Sequence, residues 1–403
     1  MTSRPSSLTD EMLQEPVDFS LVLGGPLFQL FRRCHLSGDG LELLRRRVLI
    51  IPLFAWLPLL VLSALEGHLL GGSIAVPFLL DAEVHVRFLV ALPLLIVAEI
   101  VVHQRMRSVV RQFLERKLIP MEARPRFEAA VTSALRVRNS VVAEVLLVAF
   151  VYIVMVFVVW RHYIALSAPT WYAVPTSAGL QFSVSGLWYS YVSVPLYQFM
   201  MFRWYFRISV WARFLWQVSR IELQLVPTHP DRVGGLGFLA NTAYAFVPLV
   251  VAHGAMLAGL LANRIFYAGG SVPDFKAEIA VLLVFMVGLV FGPLLAFTAQ
   301  LAQVKRTGIR EYGTFAQRYV REFDAKWLRG GAPADEPLVG SGDIQSLADL
   351  ANSYEVVKGM KLAPVTKEAF VRVVVAMLVP LMPLALTMMS LEELIKKLMG
   401  IVF

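Results

Sequence analysis

Residues 48–65 read VLIIPLFAWLPLLVLSAL, eighteen consecutive positions without a charge. A helix of about 20 such residues crosses a hydrocarbon core of about 30 Å, and a soluble domain has little use for one. Comparable runs recur at about 86–102, 141–160, 187–202, 236–262, 279–301 and 369–389. The pattern predicts an all-α, polytopic membrane protein with about seven transmembrane helices and cytoplasmic helical extensions. Composition agrees: 57% of the 403 residues are hydrophobic and only 16% are charged, where a soluble chain carries about a quarter.

Lys and Arg set the orientation. Of the 37, 30 fall in one alternating set of segments (1–47, 103–140, 203–235 and 302–368) and 6 in the other. That bias predicts a cytoplasmic N-terminus and a periplasmic C-terminus. It also accounts for the net charge of +8 without nucleic acid, since cationic loops suit anionic headgroups. The organisation expected is a cytoplasmic tail over 1–46, six spans over 47–301 with cytoplasmic loops 103–140 and 203–235, a cytoplasmic helical region over 302–368, and a seventh span with a C-terminal surface helix over 369–403. Arg4 is followed by Asp10, Glu11, Glu15 and Asp18, which is no secretory signal, so the first span is expected to act as an uncleaved anchor. The run Leu21–Phe31 is too short to span and is expected on the membrane surface. Cys34 is the only cysteine, so no intrachain disulfide forms. No internal repeat is visible, and an odd span count argues against a two-half inverted-repeat transporter.

Between the fourth and fifth spans lies VPTHPDRVGGLGFL, residues 226–239. The fourth helix meets no stop signal before Pro227 and is expected to run through Glu222 into water. A glycine-rich turn at a helix N-terminus presents free N–H groups to an anion. His229, Asp231, Arg232, Gly234 and Gly235 therefore form a candidate site for a phosphate-bearing ligand, with Arg232 as clamp. The competing reading is a helix break in which Asp231 caps the fifth span. HPDRVGGLGFL, together with GSGDIQSLADLANS further on, resembles a signature of uncharacterised multi-pass membrane proteins of bacteria. The resemblance covers about the second half of the chain. It implies a bacterial inner membrane and carries no activity.

A second constellation lies near the cytoplasmic edge of the bilayer. Glu99 and His103 are four apart, as are Arg203 and Arg207, and Glu144 opens the antiparallel third span at similar depth. Ionisable groups in spans tend to line a bundle interior or an ion path; Glu–Arg pairing beside the headgroups would serve equally. His253, in the outer half of the predicted fifth span, either joins such a pathway or bonds a carbonyl. Pro380 and Pro383 break or kink the seventh span. Asp81, Glu83 and His85 suit a metal outside, or Asp81 caps the second span. Trp171, Trp188, Trp204 and Trp216 fall where an aromatic belt is expected.

In the cytoplasmic region Tyr312, Phe315, Tyr319, Phe323 and Trp327 make an apolar helical stripe. Its expected partner is the fourth helix, through Trp211 and Trp216, or the same stripe in a second copy. A second amphipathic helix, with Ser341 or Asp343 as its cap, is expected to follow. No P-loop, dinucleotide fingerprint, nucleophile elbow or zinc signature occurs, so no catalytic residue, metal or cofactor is assigned. The partners expected are the lipid bilayer, a possible homo-oligomer, and a small ion or anionic ligand. Three functions remain open: transport or channel-like, phosphate-ligand binding at 229–237, or a scaffold subunit of a membrane complex.

Overall fold

The computed structural model describes residues 19–33, 44–71, 74–153, 169–176 and 179–387. The first half of the N-terminal tail, Cys34, the far end of the third predicted span and the C-terminal surface helix lie outside the described residues. The protein is mostly helical. Among the described residues five helices are long and apolar enough to cross a membrane: Leu44–Leu65 (α2), Ala82–Glu115 (α3), Val247–Ala268 (α7), Val272–Leu328 (α8) and Lys367–Ala385 (α10). They cover the first, second, fifth, sixth and seventh predicted spans. The others are Pro26–Arg33 (α1), Arg124–Arg138 (α4), Val141–Ile153 (α5) and Gly342–Lys358 (α9). Val184–Trp188, Tyr189–Ser193 and Val194–Val218 run on as one helix, α6. The small antiparallel hairpin Ala173–Thr176 with Gly179–Phe182 departs from an all-helical expectation.

The fourth predicted span falls on α6, which is long enough but not among the five apolar helices. Its Ser185, Ser190, Ser193, Tyr197 and Gln198 are buried, so they face protein rather than lipid and the usual hydropathy signal is lost. The helix stops at Val218 rather than running through Glu222. Residues 220–225 continue as an extended strap with Ile221 and Leu223 buried and the Gln224 N–H bonded to the Leu118 carbonyl, 2.9 Å. Gln300 Nε2 donates to the carbonyls of Ser219 and Ile221, 2.9 and 2.5 Å, so a distant side chain, not Pro227, ends the helix.

α7 is the central element, packed against α3 and α10. Small residues permit this. A side chain on Gly254 would collide with the Met377 carbonyl of α10, and one on Gly259 would crowd Glu83 and Val86 of α3. Close approach at glycine is a common basis of helix association in membranes. Leu49, Leu53 and Leu57 of α2, four apart, remain exposed, as a lipid-facing stripe would be.

Several expectations change. Phe19, Ser20, Leu21 and Val22 are buried in the core, with Phe19 against Trp211 and Phe214, so the start of the Leu21–Phe31 run is an internal plug rather than a surface segment. Residues 103–140 are not an open loop but the end of α3 plus α4. Trp171 and Trp204 are fully buried and belong to the core, not to a belt. The fifth span begins at Val247, after a 3-10 turn Leu236–Asn241 and the short helix Thr242–Ala245. Pro380 sits in a 3-10 turn, Val379–Leu381, that interrupts α10.

The aromatic stripe over 312–327 packs on α9, not on α6. Ser341 caps α9 by accepting from the Asp343 N–H. The Tyr319 hydroxyl donates to the Asp343 carbonyl, 3.2 Å, and Gly313 lets Tyr354 approach. Phe315 is off the seam and 56% exposed. Trp216, 53% exposed, lies under Arg220, and Trp211 is a core residue.

Candidate functional site

The buried charges of the bundle form two clusters. The inner one is centred on Glu99 of α3, whose side chain is 1% exposed. Its Oε2 accepts from Arg47 Nη1 of α2 at 2.5 Å. Its Oε1 accepts from Arg207 Nη2 at 2.8 Å and Arg203 Nη1 at 3.3 Å, both on α6. Arg203 Nε also donates to Glu144 Oε1 of α5, 3.3 Å, and Glu144 Oε2 receives the Leu27 N–H of α1, 2.7 Å. Arg207 stacks on Trp204, 4.7 Å from guanidinium carbon to ring centre, while the Trp204 N–H donates to the Leu95 carbonyl. Five helices are thus tied at one depth. Burial of each charge is offset only because partners and hydrogen bonds are close.

Four of the residues singled out by spacing, Glu99, Glu144, Arg203 and Arg207, meet here. Arg47 was missed: it is the last of three arginines before the first span and reads as a headgroup anchor. His103 points elsewhere, with Nδ1 2.9 Å from the Ser20 hydroxyl. His253 lies six residues into α7, in the half nearer the 226–239 turn rather than the outer half. Its Nδ1 pairs with the Leu249 carbonyl, 2.8 Å, and its Nε2 with the Tyr205 hydroxyl, 2.7 Å. This is the carbonyl bond that a lone intramembrane histidine suggests, plus a tyrosine on α6.

The other cluster lies near the N-terminal ends of α3 and α6, whereas Glu99, Arg203 and Arg207 stand near or just past their midpoints. Asp81 caps α3 through the Val84 N–H and accepts from Asn263 Nδ2 and the Trp171 N–H, both 2.8 Å. It is a structural cap, as the second of the two sequence readings holds. Arg87 pairs with Glu83 and donates to the Tyr189 hydroxyl, with the Tyr197 ring 5.9 Å away. Arg87 and Tyr189 each sit in a π-helical segment, Val86–Ala91 and Tyr189–Ser193, a widening often found at functional positions. Sequence reading missed Arg87 because it stands at the edge of an apolar run, where it counts as a loop cation.

The 226–239 turn is built around Asp231. One carboxylate oxygen accepts from the N–H groups of Val233 and Gly235, 2.9 and 3.1 Å; the other accepts from Gly237, 2.8 Å. His229 Nδ1 stands 2.9 Å from the same carboxylate. Burial works to raise the Asp231 pKa, but the three backbone donors outweigh it and hold the group below the usual carboxylate range. Gly235 at φ +101 needs to be glycine. The exposed Arg232 points toward Gly359, and its carbonyl accepts the Lys361 N–H. The nest of N–H groups proposed for an external anion is therefore filled by the chain's own carboxylate, and an anion would have to displace it.

Among the described residues no three His, Cys, Asp or Glu side chains stand close enough together to hold a metal. Compared with known proteins, the chain matches no family model, no curated protein and no solved structure.

Proposed function

We propose that the chain is a seven-span protein of the bacterial inner membrane, N-terminus inside and C-terminus outside, that conducts a small ion along the buried face of α6. The seven spans and the orientation rest on the apolar runs and on the cation bias; the bacterial membrane rests on the resemblance of the 229–239 and 340–353 stretches. One observation carries the conduction reading: the two buried charge clusters lie along the same two helices, α3 and α6, one near their first turns and the other near or just past their midpoints. Tyr197 and Gln198 are buried between them on α6, and Tyr205 and His253 extend the polar seam into α7. Buried polar side chains in a membrane bundle are costly, and a continuous series of them is characteristic of ion or proton relays.

The phosphate-ligand reading at His229, Asp231, Arg232, Gly234 and Gly235 is weaker, because Asp231 occupies the donors. The test is flux of H⁺, Na⁺, K⁺ and Cl⁻ into liposomes holding the purified protein. Conduction above empty liposomes, reduced at least tenfold by Arg87→Lys or Tyr197→Phe in folded protein, is expected. Equal flux with and without protein for all four ions ends the reading and leaves a scaffold role.

A further inference from the structure

An ion that reaches the inner cluster has to leave it toward the C-terminal ends of α3 and α6. Straight on along those helices the way is closed by aromatic packing. Phe113 lies against Phe127, Phe127 against Phe214, and Trp211 stacks on Phe214. To the side, the surroundings are polar. His103 stands one turn beyond Glu99 on α3, and Arg138, Asn139 and Glu144 stand where α4 passes into α5. The N-terminal segment Phe19–Leu27 fills the space between these elements and α6.

Its contacts place it directly on the cluster. Glu144 Oε2 accepts the Leu27 N–H at 2.7 Å, Arg138 donates to the Ser20 carbonyl, and the Ser20 hydroxyl pairs with His103 Nδ1 at 2.9 Å. A Cβ on Gly25 would stand 3.0 Å from Glu144 Oε1 and 3.9 Å from Arg203 Nη2. The Phe19 ring lies against Trp211 and Phe214, and Leu21 and Val22 are buried beside it.

The same segment is self-contained. From Phe19 to Gly25 it is neither helix nor strand. The Ser20 hydroxyl accepts from the Val22 and Leu23 N–H groups at 3.1 and 3.0 Å, so the turn satisfies these donors within itself instead of borrowing carbonyls from the bundle. Among the described residues, the bonds to Glu144, Arg138 and His103 and the apolar side chains of the turn are what tie it down. Water can replace each of those bonds once the segment has left.

We propose that Phe19–Leu27 is a removable plug on the conduction path, and that this structure is the closed state. The inference rests on the conduction reading. Withdrawal of the turn uncovers Glu144, Arg203 and His103 and joins the inner cluster to water, while the helices around it keep their packing.

The experiment places a thiol on the plug. Leu21→Cys is made in full-length Cys34→Ser protein, reconstituted in liposomes and treated with N-ethylmaleimide. Leu21 is 1% exposed, so the thiol reacts only when the turn is out, and the added ring prevents its return. Slow labelling is expected, faster when Phe19→Ala is added. Flux should rise about tenfold or more once labelling is complete, since a tenfold change in an open-to-closed ratio takes only about 1.4 kcal/mol. Phe19→Ala alone should raise flux in the same direction, because it removes a buried ring from the closed state. Val22→Cys repeats the test should Leu21→Cys fail to fold. The proposal is overturned, with conduction intact, if the unlabelled protein conducts and labelling leaves flux unchanged or lowers it, or if the thiol never reacts while flux proceeds. Flux equal to that of empty liposomes before and after labelling overturns the plug and the conduction reading together.

Discussion

The Trp171–Asp81 and Trp327–Asp343 contacts are the same hydrogen bond in two surroundings. In each an indole N–H donates to an aspartate Oδ2, at 2.8 Å in the bundle and 2.9 Å in the hairpin of α8 and α9. In the bundle, Trp171 and Asp81 are buried, and Asp81 also serves the Val84 N–H and Asn263. In the hairpin, the pair is partly open to water and Lys326 shares the carboxylate. Geometry is equal, but the cost of losing a partner is not. A buried donor left alone bears its full desolvation penalty, whereas an exposed one turns to solvent. The bundle should therefore be intolerant of polar substitution and the hairpin forgiving, although the hairpin carries more of the chain's charge on its surface.

The largest effect is expected at Glu99. Glu99→Leu leaves Arg47, Arg203 and Arg207 without their shared carboxylate in a site closed to water, and breaking a buried pair in this way costs about 3–5 kcal/mol. The variant should aggregate on extraction into detergent, read as loss of the monodisperse peak in size-exclusion chromatography. A variant as stable as wild type would mean the cluster is reached by water and that the comparison between interior and exterior is misplaced.

Next comes Asp81→Asn. The replacement keeps one oxygen but sets an NH₂ group against Asn263 Nδ2 or the Trp171 N–H, both of which need an acceptor. A lost hydrogen bond to a charged group costs about 1.5–3 kcal/mol, so the thermal unfolding midpoint in detergent should fall clearly. An unchanged midpoint would put Asp81 on a par with an exposed aspartate.

What could be read before the fold was known follows the same division. Apolar runs are local, so the existence of α2, α3, α7, α8 and α10 was legible, although α3 and α8 run well past the expected spans and α7 starts at Val247 rather than near residue 236. Four members of the inner cluster were legible because i, i+4 spacing and antiparallel depth put Glu99, Glu144, Arg203 and Arg207 on a common level. Contacts made across the fold were not. Arg47 and Arg87 read as flanking cations, since only neighbouring helices reveal that they are buried. The end of α6 at Val218 has no proline or glycine to mark it; Gln300, 81 residues from Ser219 in sequence, satisfies the carbonyls of Ser219 and Ile221 just beyond it. Ser20 and its neighbours looked like tail because nothing in their own composition says that Trp211 and Phe214 will cover Phe19. Phe315 fitted a helical stripe by spacing, but Gly313 and Tyr354 set the actual seam one position over.

Between the two extremes stands Asp231, half-buried and outside the spans. Its folded pKa is depressed, so its contribution is present above the unfolded value of about 3.9 and is lost as pH falls through the folded value. Asp231→Asn removes the acceptor facing the Gly237 N–H, and about 1 kcal/mol is expected at pH 7. Thermal unfolding of wild type and variant between pH 7 and pH 3 should show a difference that is full at neutral pH and shrinks below about pH 4. A difference that stays constant across that range would show that the carboxylate charge is irrelevant to the turn and that shape alone matters.

The smallest effect is expected at Asp343. The Lys326 ammonium and the Trp327 N–H hold its carboxyl below the usual range, so whatever it contributes is also present above the unfolded value and lost in acid. Asparagine at 343 still offers an oxygen to the indole and loses only the attraction to Lys326, which then has Glu336 at 2.5 Å as an alternative. The Ser341 cap and the Tyr319 hydroxyl both address the backbone of residue 343 and are untouched by the change. Water solvates what is left, and salt screens the pair within about 10 Å at 0.1 M. Hydrogen exchange of the α9 amides should therefore be nearly the same in Asp343→Asn and wild type. The slight difference that remains should vanish in 0.5 M salt. If instead the α9 amides lose protection altogether, the exposed bond holds the hairpin as firmly as Asp81 holds the bundle. Burial would then not be what separates the two regions.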